Sequence, residues 1–233
     1  MGETELNNNS LSEVESSDAV SPQTAVLITA TSFILFLFGG ALLWDSLGFE
    51  FTLVFGEILL VVLPLVYLKL KDINIRNFIK LDLKIRFIVI GSLLGFLVFF
   101  YNVAVTTSIV SVIGVSEAVE EANKIVTKMS STPEGILLLV VALILAGVCE
   151  EFTFRGFLQT SINKKYSFWM SLLLSSLAFG ILHFDPQLVY TLSAFMTGLL
   201  LGYLYKRWNS YVVSAAAHSS MNLIVLAISV FLA

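Results

Sequence analysis

Three small groups of polar residues stand inside otherwise apolar stretches of the chain. They are Glu150-Glu151 with Arg155, then His183 closing Phe179-Gly180-Ile181-Leu182-His183, and His218 with Asn222. Ionisable side chains inside a membrane helix are costly, rare and usually functional. On a helix Glu151 and Arg155 lie four apart and face each other, acid first, the favourable order for an ion pair. Glu150 is turned about 100° away from that pair at 3.6 residues per turn. One carboxylate is thereby neutralised, while the other is free to face a reactant as a general base must. His218 and Asn222 also share one helix face. A Glu–Arg clamp between helices and interhelical histidine hydrogen bonds are the bland readings of these groups. Both of the chain's 2 histidines, a glutamate pair and an asparagine on a histidine face are harder to explain by packing. Glu57, alone in an apolar run ahead of Pro64, reads as a hydrogen-bonded or protonated carboxyl and stays outside the candidate set.

The elements that must hold these residues follow from composition. Hydrophobic residues make up 57% of the 233, charged ones 13%, and mean hydropathy is +0.91. A soluble chain carries roughly 45–50% apolar and about 25% charged residues. The expected fold is therefore all-α: a polytopic membrane bundle of about seven transmembrane helices, with eight as the alternative. A disordered chain, a coiled coil and a disulfide scaffold are excluded, the last because Cys149 is the single cysteine. Residues 1–24 form an acidic tail with no Lys or Arg, expected to be disordered and to be no secretory signal, which would need a basic start. Leu6 interrupts the myristoylation pattern. Residues 25–233 form the single membrane-embedded domain. Net charge is −4, drawn largely from the tail, and nothing points to nucleic acid.

Seven apolar runs approach the roughly 20 residues of a membrane helix. They are Ala25–Trp44, Phe51–Leu70, Phe87–Ile109, Gly135–Leu158, Phe168–Phe184, Gln187–Tyr205 and Tyr211–Leu232. Residues 116–134, with six charges, should form a loop or an interfacial helix. Trp44, Trp169 and Trp208 sit at run ends, where interfacial aromatics belong. The connections after runs two, four and six hold Lys69, Lys71, Arg76, Lys80, Lys84, Arg86, Lys164, Lys165, Lys206 and Arg207, against Lys124 and Lys128 opposite. The positive-inside rule puts the N-terminus and the basic loops in the cytoplasm. At 1.5 Å per residue, Glu150, His183, His218 and Asn222 lie roughly 21, 27, 16 and 22 Å from the basic residues of that side. Such depths permit one cluster within the membrane.

Glu-Glu-x-x-x-Arg, Phe-x-x-x-His and His-x-x-x-Asn, in this order on successive apolar segments, resemble the motifs of the CPBP family. These CAAX proteases and bacteriocin-processing enzymes are intramembrane proteases that include the Ras-converting prenyl-protein endopeptidase. The run Glu150-Glu151-Phe152-Thr153-Phe154-Arg155-Gly156-Phe157-Leu158 is similar to the first motif in its flanks as well, and the matching motifs span Glu150 to Asn222. The resemblance implies an intramembrane endopeptidase in which Glu150 activates the attacking water with help from His183. His218 and Asn222 would stabilise the oxyanion, and Glu151 and Arg155 would support the site. Implied partners are a peptide or lipidated protein substrate, processed in CAAX fashion, and membrane lipid. No cofactor is required on this reading. Zinc is the alternative, with Glu150, His183 and His218 as ligands, although the His-Glu-x-x-His spacing of familiar zinc peptidases is absent. Two rival readings are a catalytically silent immunity or scaffold protein of the same fold, and a transporter relaying protons through Glu57, Glu150 and the histidines. A transporter would tend to show repeated halves, and none is visible.

Overall fold

The computed structural model describes residues 20–232, and every regular element among them is helical. Most of the expected tail lies outside the described residues. The first helix, however, starts before the tail's expected end. Ser21 caps it by accepting from the Thr24 amide at 3.1 Å, and Pro22 occupies its first turn, where a missing N–H does no harm.

The helices are α1 (Pro22–Leu47), α2 (Phe49–Leu70), α3 (Ile75–Phe78), α4 (Ile85–Ile113), α5 (Glu117–Met129), α6 (Pro133–Asn163), α7 (Phe168–Leu182), α8 (Val189–Trp208) and α9 (Tyr211–Leu232). The expected polytopic bundle is present. Five helices (α1, α2, α4, α6 and α9) are long and apolar enough to cross a membrane. The fifth and sixth runs differ from expectation. α7 stops at Leu182 after 15 residues, roughly 22 Å at 1.5 Å per residue, short of a core of about 30 Å. α8 starts at Val189 and runs on to Trp208, carrying Lys206 and Arg207 in its last turn.

Residues 116–134 do contain a helix. Glu117 and Glu120 in the first turn of α5 and Lys128 in its last complement the helix dipole. Its apolar face, Ile125, Val126 and Met129, packs with Leu139 of α6 and Leu226 of α9.

α6 is the central element, touching α2, α7, α8 and α9. Thr132 caps it by accepting from the Gly135 amide, and Pro133 opens it. It is α-helical over Pro133–Glu151, widens to a π-helix over Phe152–Gln159, and closes as α-helix over Thr160–Asn163. The Thr160 amide reaches back to the Arg155 carbonyl, the five-residue step of a π turn. Such widened turns are rare and concentrate at functional sites. All eight residues of the π segment are buried. It is apolar on one side, where Phe154 and Phe157 join the main core. On the other it places Arg155, the largest fully buried side chain of the protein, in the bundle interior.

α6 and α9 approach closely because of Gly147. A Cβ there would stand 2.6 Å from the backbone nitrogen of Ser219, the neighbour of His218. Three hydrogen bonds lace the pair: Tyr211 Oη to Val148 O at 2.8 Å, Ser219 Oγ to Ile144 O and Asn222 Nδ2 to Leu143 O, both at 3.2 Å. Gly147→Val should push these backbones apart. The expected cost is about 1–3 kcal/mol, typical of overpacking, together with loss of any activity that needs Glu150 beside His218. Thermal unfolding in detergent, paired with an activity assay, checks both parts.

Candidate active site

Four elements converge on one buried cluster: α6 with Glu150, Glu151 and Arg155, the end of α7 with His183, α9 with His218, and α8 beneath. Glu151 Oε1 pairs with Arg155 Nη1 at 3.0 Å, and both side chains are fully buried. This is the pair expected from their spacing. Arg155 is held further by donating from Nη2 to the Gly198 carbonyl at 3.0 Å and by lying 4.4 Å over the Phe179 ring. Gly198 is required for this approach, since a Cβ there would sit 3.2 Å from Arg155 Nη2 and equally close to Phe179. One turn on, Gln159 repeats the device by donating to the Gly202 carbonyl at 3.1 Å.

Glu150 points away from that pair, towards the histidines. His183 Nε2 lies 3.9 Å from Glu150 Oε1, and His218 Nε2 lies 3.7 Å from Glu150 Oε2. Both separations exceed a direct hydrogen bond and suit one bridged by a water. The tautomer of His183 is fixed locally. Its Nδ1 donates to the Phe179 carbonyl at 2.9 Å, and a carbonyl can only accept, so the Nε2 lone pair faces Glu150. The spacing of Phe-x-x-x-His now has a cause. Phe179 supplies the carbonyl that orients His183, and its ring packs against both imidazoles, at 4.8 Å to His183 and 5.7 Å to His218.

One feature departs from the expected division of labour. Glu151 does not belong to Arg155 alone, because His218 Nδ1 lies 3.4 Å from Glu151 Oε1. The His218 ring therefore stands between the two carboxylates. Asn222, one turn along α9, is turned towards Leu143 of α6, and its described hydrogen bond goes to that carbonyl. Glu150, Glu151, Arg155, His183 and His218 are thus gathered directly, and Asn222 sits at the edge of the group.

Glu57 is nearer the site than its isolation in the sequence suggested. It lies on α2, which packs against α6, with Oε2 buried. No spacing rule could have linked residues 57 and 150. A second unforeseen residue is Asp185, two residues after His183. Its buried carboxylate accepts from Ser116 Oγ at 2.6 Å, from the Tyr190 amide at 3.0 Å and from the Thr191 amide at 3.2 Å. Thr191 Oγ1 in turn donates to the His183 carbonyl at 3.2 Å. Asp185 therefore caps α8 while tying the His183 segment to the connection before α5. The cue in the sequence was an acid just ahead of a helix start. Asp185→Asn weakens these bonds without changing shape, and turnover should fall about tenfold with little change in KM. A rise in KM alone, with turnover intact, would remove Asp185 from this positioning role.

A zinc site needs donors converging at about 2.0–2.2 Å from one ion. Among the described residues no group of three His, Cys, Asp or Glu has a metal-holding arrangement, the Glu150, His183 and His218 set included.

Comparison with known proteins agrees with the motifs. Residues 132–224 match the family model described as Type II CAAX prenyl endopeptidase Rce1-like. Over 141 residues the chain is 28% identical to a Bacillus subtilis (strain 168) protein named "Putative membrane peptidase YdiL", covering 59% of this chain and 55% of that one. The chain thus spans about half the length of that relative. No solved structure matches it. The family match covers the segment that carries all three motifs, and the long apolar helices agree with an integral membrane protein.

Proposed function

We propose that the protein is an intramembrane endopeptidase that hydrolyses a peptide bond of a membrane-associated or lipidated protein, in the manner of CAAX processing. The observation that carries this reading is the pair of histidine Nε2 atoms flanking the two oxygens of Glu150, at 3.9 and 3.7 Å, within the bundle interior. A water about 2.8 Å from both Glu150 Oε1 and His183 Nε2 would donate a hydrogen to each. As it attacks the scissile carbonyl, its proton passes to this pair, Glu150 acting as general base. The carbonyl oxygen gains negative charge, and hydrogen-bond donors would stabilise it. His218 supplies one from its ring. Asn222, whose amide carries two N–H donors with one engaged by Leu143, would add the other on this reading. The proton held by the pair then goes to the leaving nitrogen as the C–N bond breaks.

Substrate approach follows from exposure. The His183 side chain is 23% exposed, whereas Glu150 is 6%, His218 4% and Glu151 fully buried. The scissile bond therefore enters past His183, and Glu151 with Arg155 forms the floor. The match to an Rce1-like model supports a CAAX-type substrate. Comparing the membrane peptidomes of cells carrying the wild type and Glu150→Gln tests the function. Intact precursors should accumulate only in the variant, and identical peptidomes would overturn the reading.

The orientation proposed for the protein has its N-terminus and basic loops in the cytoplasm. With Cys149 replaced and a cysteine placed at Lys165, an impermeant thiol reagent should leave intact cells unlabelled and label them after permeabilisation. Rapid labelling of intact cells would invert the topology.

A further inference from the structure

We propose a phosphate-binding site for the headgroup of an anionic phospholipid, in a polar cavity between the connection from α2 to α4 and the turn from α8 to α9. The cavity, about 390 Å³, is lined by Arg76, Asn77, Lys80, Asp82, Lys84 and Asn209. Arg76, Asn77, Lys80, Asp82 and Lys84 come from the connection between α2 and α4, and Asn209 from the turn between α8 and α9, so the fold assembles the site from distant segments. Three cations face one acid. Asp82 is paired with Lys84 at 2.8 Å, and no carboxylate among the described residues pairs with Arg76 or Lys80. Net positive charge and two amide side chains suit a phosphate group, which accepts hydrogen bonds and carries negative charge.

The walls are fixed in advance. Lys80 and Asn209 both adopt left-handed backbone, with φ of 59° and 46°, a conformation that side-chain-bearing residues rarely take. The segment is pinned by the Tyr211 amide donating to Lys80 O at 3.2 Å and by Tyr205 Oη donating to Ile79 O at 3.3 Å. Rigid walls lower the ordering cost of binding.

A lipid is favoured over a free anion by what borders the cavity. Leu83 and Ile85 flank Lys84 and are 70% and 73% exposed, and Val89 continues the apolar strip one turn along α4. A polar pocket continuous with an exposed apolar strip matches a headgroup with its acyl chains. The assignment rests on no catalytic residue.

Thermal unfolding of the full chain in neutral detergent, with phosphatidylglycerol or phosphatidylcholine added, tests it. Phosphatidylglycerol should stabilise the wild type selectively. The Arg76→Gln/Lys80→Gln double variant should bind it about thirtyfold more weakly, at about fivefold per cation near a membrane surface. Lys69→Gln/Lys71→Gln removes the same charge outside the cavity and should keep the preference. Unfolding in phosphatidylcholine reports whether each variant remains folded. Equal losses in both double variants would mean a diffuse basic surface and would overturn the site. So would inorganic phosphate reproducing the full stabilisation, which would make the ligand a soluble anion. A folded Arg76→Gln/Lys80→Gln protein that retains wild-type preference would overturn it as well.

Discussion

Glu150→Gln should leave a folded membrane protein whose peptide hydrolysis is at least about 10³-fold slower. Glutamine keeps the size of the side chain but cannot take the proton of an attacking water, and general-base catalysis contributes roughly 10²–10⁴-fold. Nothing in the packing depends on that charge, because Glu150 faces two histidines at distances beyond direct hydrogen bonding. Glu151→Gln has a different expected outcome. It would leave the Arg155 guanidinium, fully buried, without its countercharge. Breaking one partner of a buried pair costs about 3–5 kcal/mol. Yield and thermal stability should fall with activity, and the His218 ring would lose the carboxylate 3.4 Å from its Nδ1. Circular dichroism melts beside turnover measurements separate the two cases. A fully active Glu150→Gln, with Glu151→Gln inactive yet stable, would exchange the two roles.

The histidine variants should also part company. His183→Gln removes both the ring nitrogen beside Glu150 and the imidazole that the Phe179 carbonyl orients, so hydrolysis should be almost completely lost. His218→Gln retains an amide donor near the oxyanion. Losing one such donor outright costs on the order of 10²–10³ in turnover, and the loss in His218→Gln should not exceed that range. A strong chelator should leave the wild type active. If zinc were instead held by Glu150, His183 and His218, chelation would abolish activity and added zinc would restore it. Elemental analysis finding one tightly held zinc per chain, absent from both histidine variants, would sink the metal-free mechanism.

Much of the site was legible because its motifs are local. Acid and arginine four apart on a helix meet whatever surrounds them, and the Glu151–Arg155 pair does so at 3.0 Å. The same geometry turned Glu150 elsewhere. That an apolar chain with few charges folds as a helical membrane bundle follows from backbone satisfaction alone, because in lipid each span must bond its own amides. Helix starts were less visible. Ser21-Pro22 and Thr132-Pro133 opened α1 and α6 ahead of the apolar runs, since a cap belongs to the polar residues before a run.

The remainder was decided between helices. Composition could not give the early end of α7, where the chain leaves the helix at His183 and Asp185 caps the next one. Nor could periodicity give the π-helix of Phe152–Gln159, since widened turns are stabilised by partners on α7 and α8, the carbonyls of Gly198 and Gly202 among them. Glu57 came to Glu150 only because α2 packs on α6, and His218 came between two carboxylates only because Gly147 lets α9 touch α6. The sequence by itself determined which residues carry charge in an apolar setting and which share a helix face, because spacing along one helix sets both. The tertiary structure alone decided which of them meet, because separations of a few ångströms between helices depend on the side chains that keep the backbones apart.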